Sequence, residues 1–262
     1  MQPAAATAGA VPTQSRVSMA DPEPIDTGAS SRVAVEWLRR VEAEYTSAAI
    51  TAELVQWLIR LGASPDLIRD GLRIVDDELE HASLSHATAI EAGAQERPQL
   101  VQEQLGLRRH LERPLLLDAA LYGVEIFCLG ETVAVPLFVA MREGCTVAVA
   151  RRALDRIVRD EVRHRDFGWT LLQWLLDTHG EPMRSAIADA LPGMFARIRN
   201  SYGQSDFESR TDEPMGDDAA WGLIPTARYR EILLRSVERD YLPRFARAGI
   251  DARTAWSTPE ET

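Results

Sequence analysis

Two Asp-Glu-x-x-His runs, Asp77-Glu78-Leu79-Glu80-His81 and Asp160-Glu161-Val162-Arg163-His164, sit inside stretches whose apolar residues recur at helical spacing. Residues three apart share one face of a helix, so each run presents a carboxylate and an imidazole side by side. Both runs fall on the apolar stripe of their helix, and burying such groups without partners is costly. The pattern therefore calls for helices that bring the two runs together around something that compensates their charge.

The rest of the chain is also written in helical periods, with almost no strand-like alternation, and the fold class read from it is all-α. A first helix is predicted from Ser31 to about Leu61, with Trp37, Val41, Glu44, Ala48, Thr51, Val55 and Leu58 on one stripe and Gly62 at its end. Ser64-Pro65-Asp66 supplies an N-cap, a first-turn proline and an acid at the positive helix end, so a second helix starts there and carries Leu67, Ile74, Glu78, His81 and Ser85 inward. Residues 94–113 read as a long connection. A third helix runs from Pro114 to about Arg142 with Leu121, Val124, Cys128, Glu131 and Val135 on its stripe and a kink expected at Pro136. The fourth, from about Thr146 to Thr178, points Ala150, Leu154, Ile157, Glu161, His164, Gly168 and Leu171 one way. Further helices are expected at 183–202 and 225–247, separated by a Gly-, Asp- and Ser-rich loop over 203–224.

Helix phase selects six candidate metal ligands: Glu44, Glu78, His81, Glu131, Glu161 and His164. Glu44 is preferred to Glu36 and Glu42 because it shares phase with Ala48, Thr51 and Val55; Glu131 is preferred to Glu125, which lies about 120° away around its helix. Four glutamates and two histidines can hold two divalent ions and leave coordination positions open. A metal-bound His usually donates its second ring N–H to an acceptor, and Asp77 and Asp160 occupy matching positions for that role, each expected to bond the His of the other run. Small residues Ala48, Thr51, Ser85, Ala89, Thr132 and Gly168 are expected to leave room beside the ions. His86, His110 and His179 read as surface or capping residues, Cys128 as core, and Tyr45 and Tyr122 as packing aromatics.

Charge and composition narrow the partners. The net charge is −11 and all 29 basic residues are arginine, which argues against a broad nucleic-acid surface and makes acidic substrates less favoured. Two cysteines, Cys128 and Cys145, form no Cys-x-x-Cys pair, which fits a reducing cytoplasm. Residues 1–30 lack the basic start and apolar core of a signal peptide and read as a disordered leader. No later apolar run is judged long and charge-free enough to cross a membrane.

The stretch Glu44-Tyr45-Thr46-Ser47-Ala48-Ala49, with Leu61-Gly62-Ala63, Asp77-Glu78-x-x-His81, Leu129-Gly130-Glu131-Thr132 and Asp160-Glu161-x-x-His164, resembles bacterial ferritin-like non-haem di-iron proteins over most of residues 33–180. The resemblance implies a ferritin-like four-helix bundle over 31–180, built as two antiparallel hairpins joined by a long crossover, with a C-terminal helical extension over 181–262 packed on it. It implies two iron ions as cofactor, with manganese compatible with the same ligands, and an oxidase or oxygenase that activates dioxygen to oxidise a small organic substrate in specialised metabolism. Electrons would come from an external donor, and a homodimer fits. The alternatives are a ferroxidase or iron-storage protein, and a metal-stabilised binding protein without redox turnover.

Overall fold

The computed structural model describes residues 29, 31–203 and 216–258. The expected leader lies outside the described residues apart from Ala29, and so does the 204–215 part of the expected loop. The described residues are helical, with no strand among them. Four long helices come first: α1 (Ser31–Arg60), α2 (Pro65–Glu91), α3 (Leu115–Gly144) and α4 (Ala148–Gly203).

The turn between α1 and α2 follows from local chemistry. Gly62 takes a φ of 73°, and the Ser64 hydroxyl accepts from the Leu67 N–H at 3.4 Å with Pro65 opening the helix. So short a turn forces α1 and α2 to run antiparallel in close contact. The α3–α4 connection is equally short, and these helices also pack together, while α2 packs across on α4. The expected stripes of α1, α2 and α4 are buried at every position named above.

On α3 the stripe is only partly as expected. Val124–Glu131 is π-helical, and each π turn takes in more residues than an α turn, so the phase shifts along the segment. Beyond it the buried residues are Thr132, Val133, Leu137 and Met141, and Val135 is half-buried on an outer cavity. The irregularity thus precedes Pro136 and ends on Glu131. A phenol supports it, since Tyr241 Oη donates to the Leu129 carbonyl at 2.6 Å. The apolarity of α3 also corrects the membrane reading: by length and composition alone it could cross a bilayer, with mean hydropathy 1.8 over its most apolar window. Between Asp118 and Arg142 its only charged residues are Glu125 and Glu131, and half of that window is buried inside the protein.

Gly180, with φ 61°, breaks α4 where the sequence reading separated two helices. The crossover, 92–114, is pinned to α1 by Glu42 and Glu53, which accept from the Gln99 and Leu107 N–H groups at 2.6 and 2.7 Å. Its end is held by buried Asp118, which binds Arg109, Arg113 and the His110 N–H. After α4, a short 3-10 turn (Gly216–Trp221) meets α1 through Trp37 Nε1, which donates to the Trp221 carbonyl at 3.1 Å. Then come α5 (Thr226–Ser236), a π-helical link, α6 (Leu242–Arg247) and α7 (Ala252–Ser257). Phe195, Tyr241, Phe245, Trp169 and Trp256 stack edge-on or tilted between this extension and α4.

Gly168 does not open space beside the glutamates as expected; it lets α3 and α4 touch. A Cβ there would lie 2.6 Å from backbone and Cβ atoms of Phe127 and 2.8 Å from Cys128 N. Gly168→Ala is expected to cost about 1–3 kcal/mol in urea unfolding, because backbone must move. Gly193→Ala, whose Cβ would meet only Arg197 Nη1 at 3.5 Å, is expected to be neutral or stabilising.

Candidate metal centre

Six buried side chains from four helices converge: Glu44 on α1, Glu78 and His81 on α2, Glu131 on α3, and Glu161 and His164 on α4. Glu44, Glu78, His81 and Glu161 each offer one ligand atom within 4.8 Å of the others, and Glu78, Glu131 and His164 form a second such group. Glu161 also reaches the second group, with Oε2 3.7 Å from His164 Nδ1. The two imidazoles lie 5.7 Å apart, centroid to centroid.

Glu78 and Glu161 stand between the imidazoles. Glu78 turns Oε2 to His81 Nδ1 and Oε1 to His164 Nδ1, both at 3.5 Å. Glu161 turns Oε1 to His81 Nδ1 at 3.8 Å and Oε2 to His164 Nδ1. Glu44 Oε2 is 3.7 Å from His81 Nδ1. These separations exceed hydrogen-bonding range. They suit atoms sharing an ion, since ligands about 2.0–2.2 Å from a metal lie roughly 3–4 Å from one another.

The other ring nitrogens are engaged. His81 Nε2 lies 3.3 Å from Asp160 Oδ2, and His164 Nε2 lies 3.4 Å from Asp77 Oδ2, so each run's Asp serves the other run's His. Two arginines latch both acids: Arg163 Nη2 binds Asp77 Oδ2 at 2.5 Å and Asp160 Oδ1 at 3.1 Å, while Arg156 binds Asp160 through Nε and Asp77 through Nη2 at 3.3 Å. Burial opposes ionisation of both Asp carboxyls, but the His and Arg partners outweigh it and hold them below the usual carboxylate range. An ionised Asp at Nε2 keeps a proton there, so Nδ1, on the glutamate side, is the nitrogen a metal would take.

The glutamate side is unsatisfied. Nδ1 of both histidines, Glu44 Oε1, Glu78 Oε2 and Glu161 Oε2 are buried without a hydrogen-bond partner, as are the Thr51 and Ser85 hydroxyls. Among the described residues Glu78 Oε1 accepts from Ser47 Oγ at 2.7 Å. Burial and neighbouring carboxylates push Glu78 and Glu161 well above the usual range. Burial would raise Glu44 as well, but the neighbouring His81 and Arg40 outweigh it and hold Glu44 below the usual range, and against burial Glu44 and Glu78 push His81 up to about 10. Carboxyl oxygens and imidazole nitrogens crowded together without hydrogen-bond partners fit divalent cations, which would displace the protons these groups otherwise retain.

Glu36, Glu42 and Glu125 stand elsewhere, held by Arg39, the Gln99 N–H and Arg197. His86 and His110 are exposed, His179 packs edge-on against Trp174, and Cys128 is core. Arg156, Arg163, Ser47 and the π-helical turns were not singled out from sequence. The arginines had a signal: they sit four before and three after Asp160, on its own face.

Four carboxyl groups crowded into one buried cluster repel, so the arrangement costs stability when no cation is present. Glu161→Gln is expected to stabilise the metal-free protein by about 1–3 kcal/mol, read by urea unfolding. An unchanged or lowered midpoint would count against uncompensated charge at this site.

Comparisons of the chain with protein-family models, with curated proteins and with solved structures return no match.

Proposed function

We propose that this chain is a ferritin-like dimetal oxidoreductase that uses dioxygen to oxidise a small organic substrate. The observation that carries the reading is the pair of buried, unbonded Nδ1 atoms, each faced by one oxygen of Glu78 and one of Glu161. In this reading Glu44, Glu78, His81 and Glu161 would hold one ion, and Glu78, Glu131 and His164, with Glu161 within reach, would hold the other. Two iron ions so held would supply dioxygen reduction at their open positions, with manganese compatible with the same donors.

The protein's own groups set the conditions. Asp160 and Asp77 fix the ring tautomers by holding the Nε2 protons, and Arg156 and Arg163 keep those acids in place. Ser47 Oγ steers Glu78 by donating to Oε1. The buried walls, including Ile74, Ala48 and Ile157, keep bulk water from the reacting groups and strengthen every interaction inside. The chain carries no Cys-x-x-Cys pair of its own, and a separate donor is proposed as the electron source.

Anaerobic Fe(II) loading followed by gel filtration and metal analysis is expected to give about two ions per chain, and oxygen consumption should follow the admission of air. Asp160→Asn is expected to weaken metal retention about ten- to hundred-fold by removing the acceptor at His81. Folded wild-type protein that retains no iron would sink the proposal. A large shell in solution that takes up iron far beyond two per chain would favour storage instead.

A further inference from the structure

We infer that Arg40 receives the carboxylate of a planar, singly charged organic acid at the edge of the Glu–His cluster, which names a substrate class and rests on the dimetal reading. Arg40 lies one helical turn before Glu44 on α1, so their side chains start about 6 Å apart on one face. Its guanidinium is fixed between two rings, with Cζ 4.7 Å from the Trp37 centroid and 4.9 Å from that of Phe138. Stacking covers its faces and leaves the N–H edges to find acceptors.

Those acceptors are missing. Nη2 donates only to the Met141 thioether at 3.2 Å, a weak acceptor, and Nε and Nη1 are buried with no partner at all. Guanidinium does not deprotonate in proteins, so the group cannot escape the cost of burial by losing its charge.

Neighbouring charges are already matched. Glu36 lies against Arg39, and Glu44 turns to His81. Two divalent ions would be neutralised by the four glutamates, while Asp77 and Asp160 are answered by Arg156 and Arg163. With the ions bound, Arg40 is left as one excess positive charge beside the centre. One charge calls for a monoanion, and in-plane N–H donors match a planar carboxylate. Trp37 and Phe138 cover the faces of the guanidinium, so a carboxylate meets it edge-on, in its own plane, as a flat acid can. Arg40 acts on Glu44 electrostatically, which puts an acid bound to it beside that end of the cluster. The net charge of −11, which speaks against acidic substrates, is a long-range property that local pairing overrides.

The test is calorimetric titration of anaerobic Fe(II)-loaded protein with benzoate, with hexanoate, and with benzamide as the neutral isostere. Saturable one-to-one binding of a carboxylate is expected, with benzamide silent, at least about tenfold weaker binding in Arg40→Gln and partial recovery in Arg40→Lys. Iron content of both variants should match the wild type, and both should still unfold cooperatively on heating. Wild-type binding in Arg40→Gln, equal binding of benzamide, or no binding of either acid would overturn the assignment. Iron content separates the two claims: without two ions in the wild type the dimetal reading fails, whereas two ions with an indifferent Arg40→Gln overturns only the role of Arg40.

Discussion

The exchange of acids between α2 and α4 is the interaction on which the site depends. Asp160 on α4 meets His81 on α2, and Asp77 on α2 meets His164 on α4. Arg156 and Arg163, both from α4, span the pair and convert two separate contacts into one closed network. A shared network of charge pairs fixes geometry better than an isolated pair, and the imidazoles inherit that rigidity. One side of each ring is therefore fully engaged, and the other side is bare.

That asymmetry organises the interior. The Asp–Arg side closes the cluster with charge pairs, while the glutamate side, apart from the Ser47 bond to Glu78, holds buried oxygens and nitrogens without hydrogen-bond partners. The surrounding helices hold this costly arrangement through ordinary packing. Gly168 brings α3 against α4, the aromatic group around Phe195 and Phe245 binds the C-terminal helices to α4, and Tyr241 grips the π-helical turns that end on Glu131. The extension beyond residue 180 thus acts on the placement of a site residue, through the Leu129 carbonyl, as well as covering the core.

Regular helices made much of this legible in advance. On α1, α2 and α4 the 3.6-residue period holds throughout the site, so Glu44, Glu78, His81, Glu161 and His164 could be phased by counting. On α3 counting gave Glu131 but misjudged Val135, because the π-helical turns alter the period between Val124 and Glu131. The apolarity of α3 was underestimated, with only Glu125 and Glu131 charged across its middle. Gly168 was read as spare volume when it is a point of backbone contact, since a missing side chain looks the same in sequence whether it leaves a void or admits a neighbour.

By itself the sequence determined which residues share a helical face: the paired Asp-Glu-x-x-His runs, the inward Glu44 and Glu131, and the helix boundaries at Gly62 and Ser64. These are local properties, fixed by periodicity and backbone preference within a few residues. Only the tertiary structure decided what lies across from each face. It set Ser47 on Glu78, the arginine latch on both acids, Asp118 on the crossover arginines, and Arg40 between two rings with its N–H groups unanswered. Such partners are far apart in the chain, and their pairing depends on how helices are packed and staggered, which no single segment encodes.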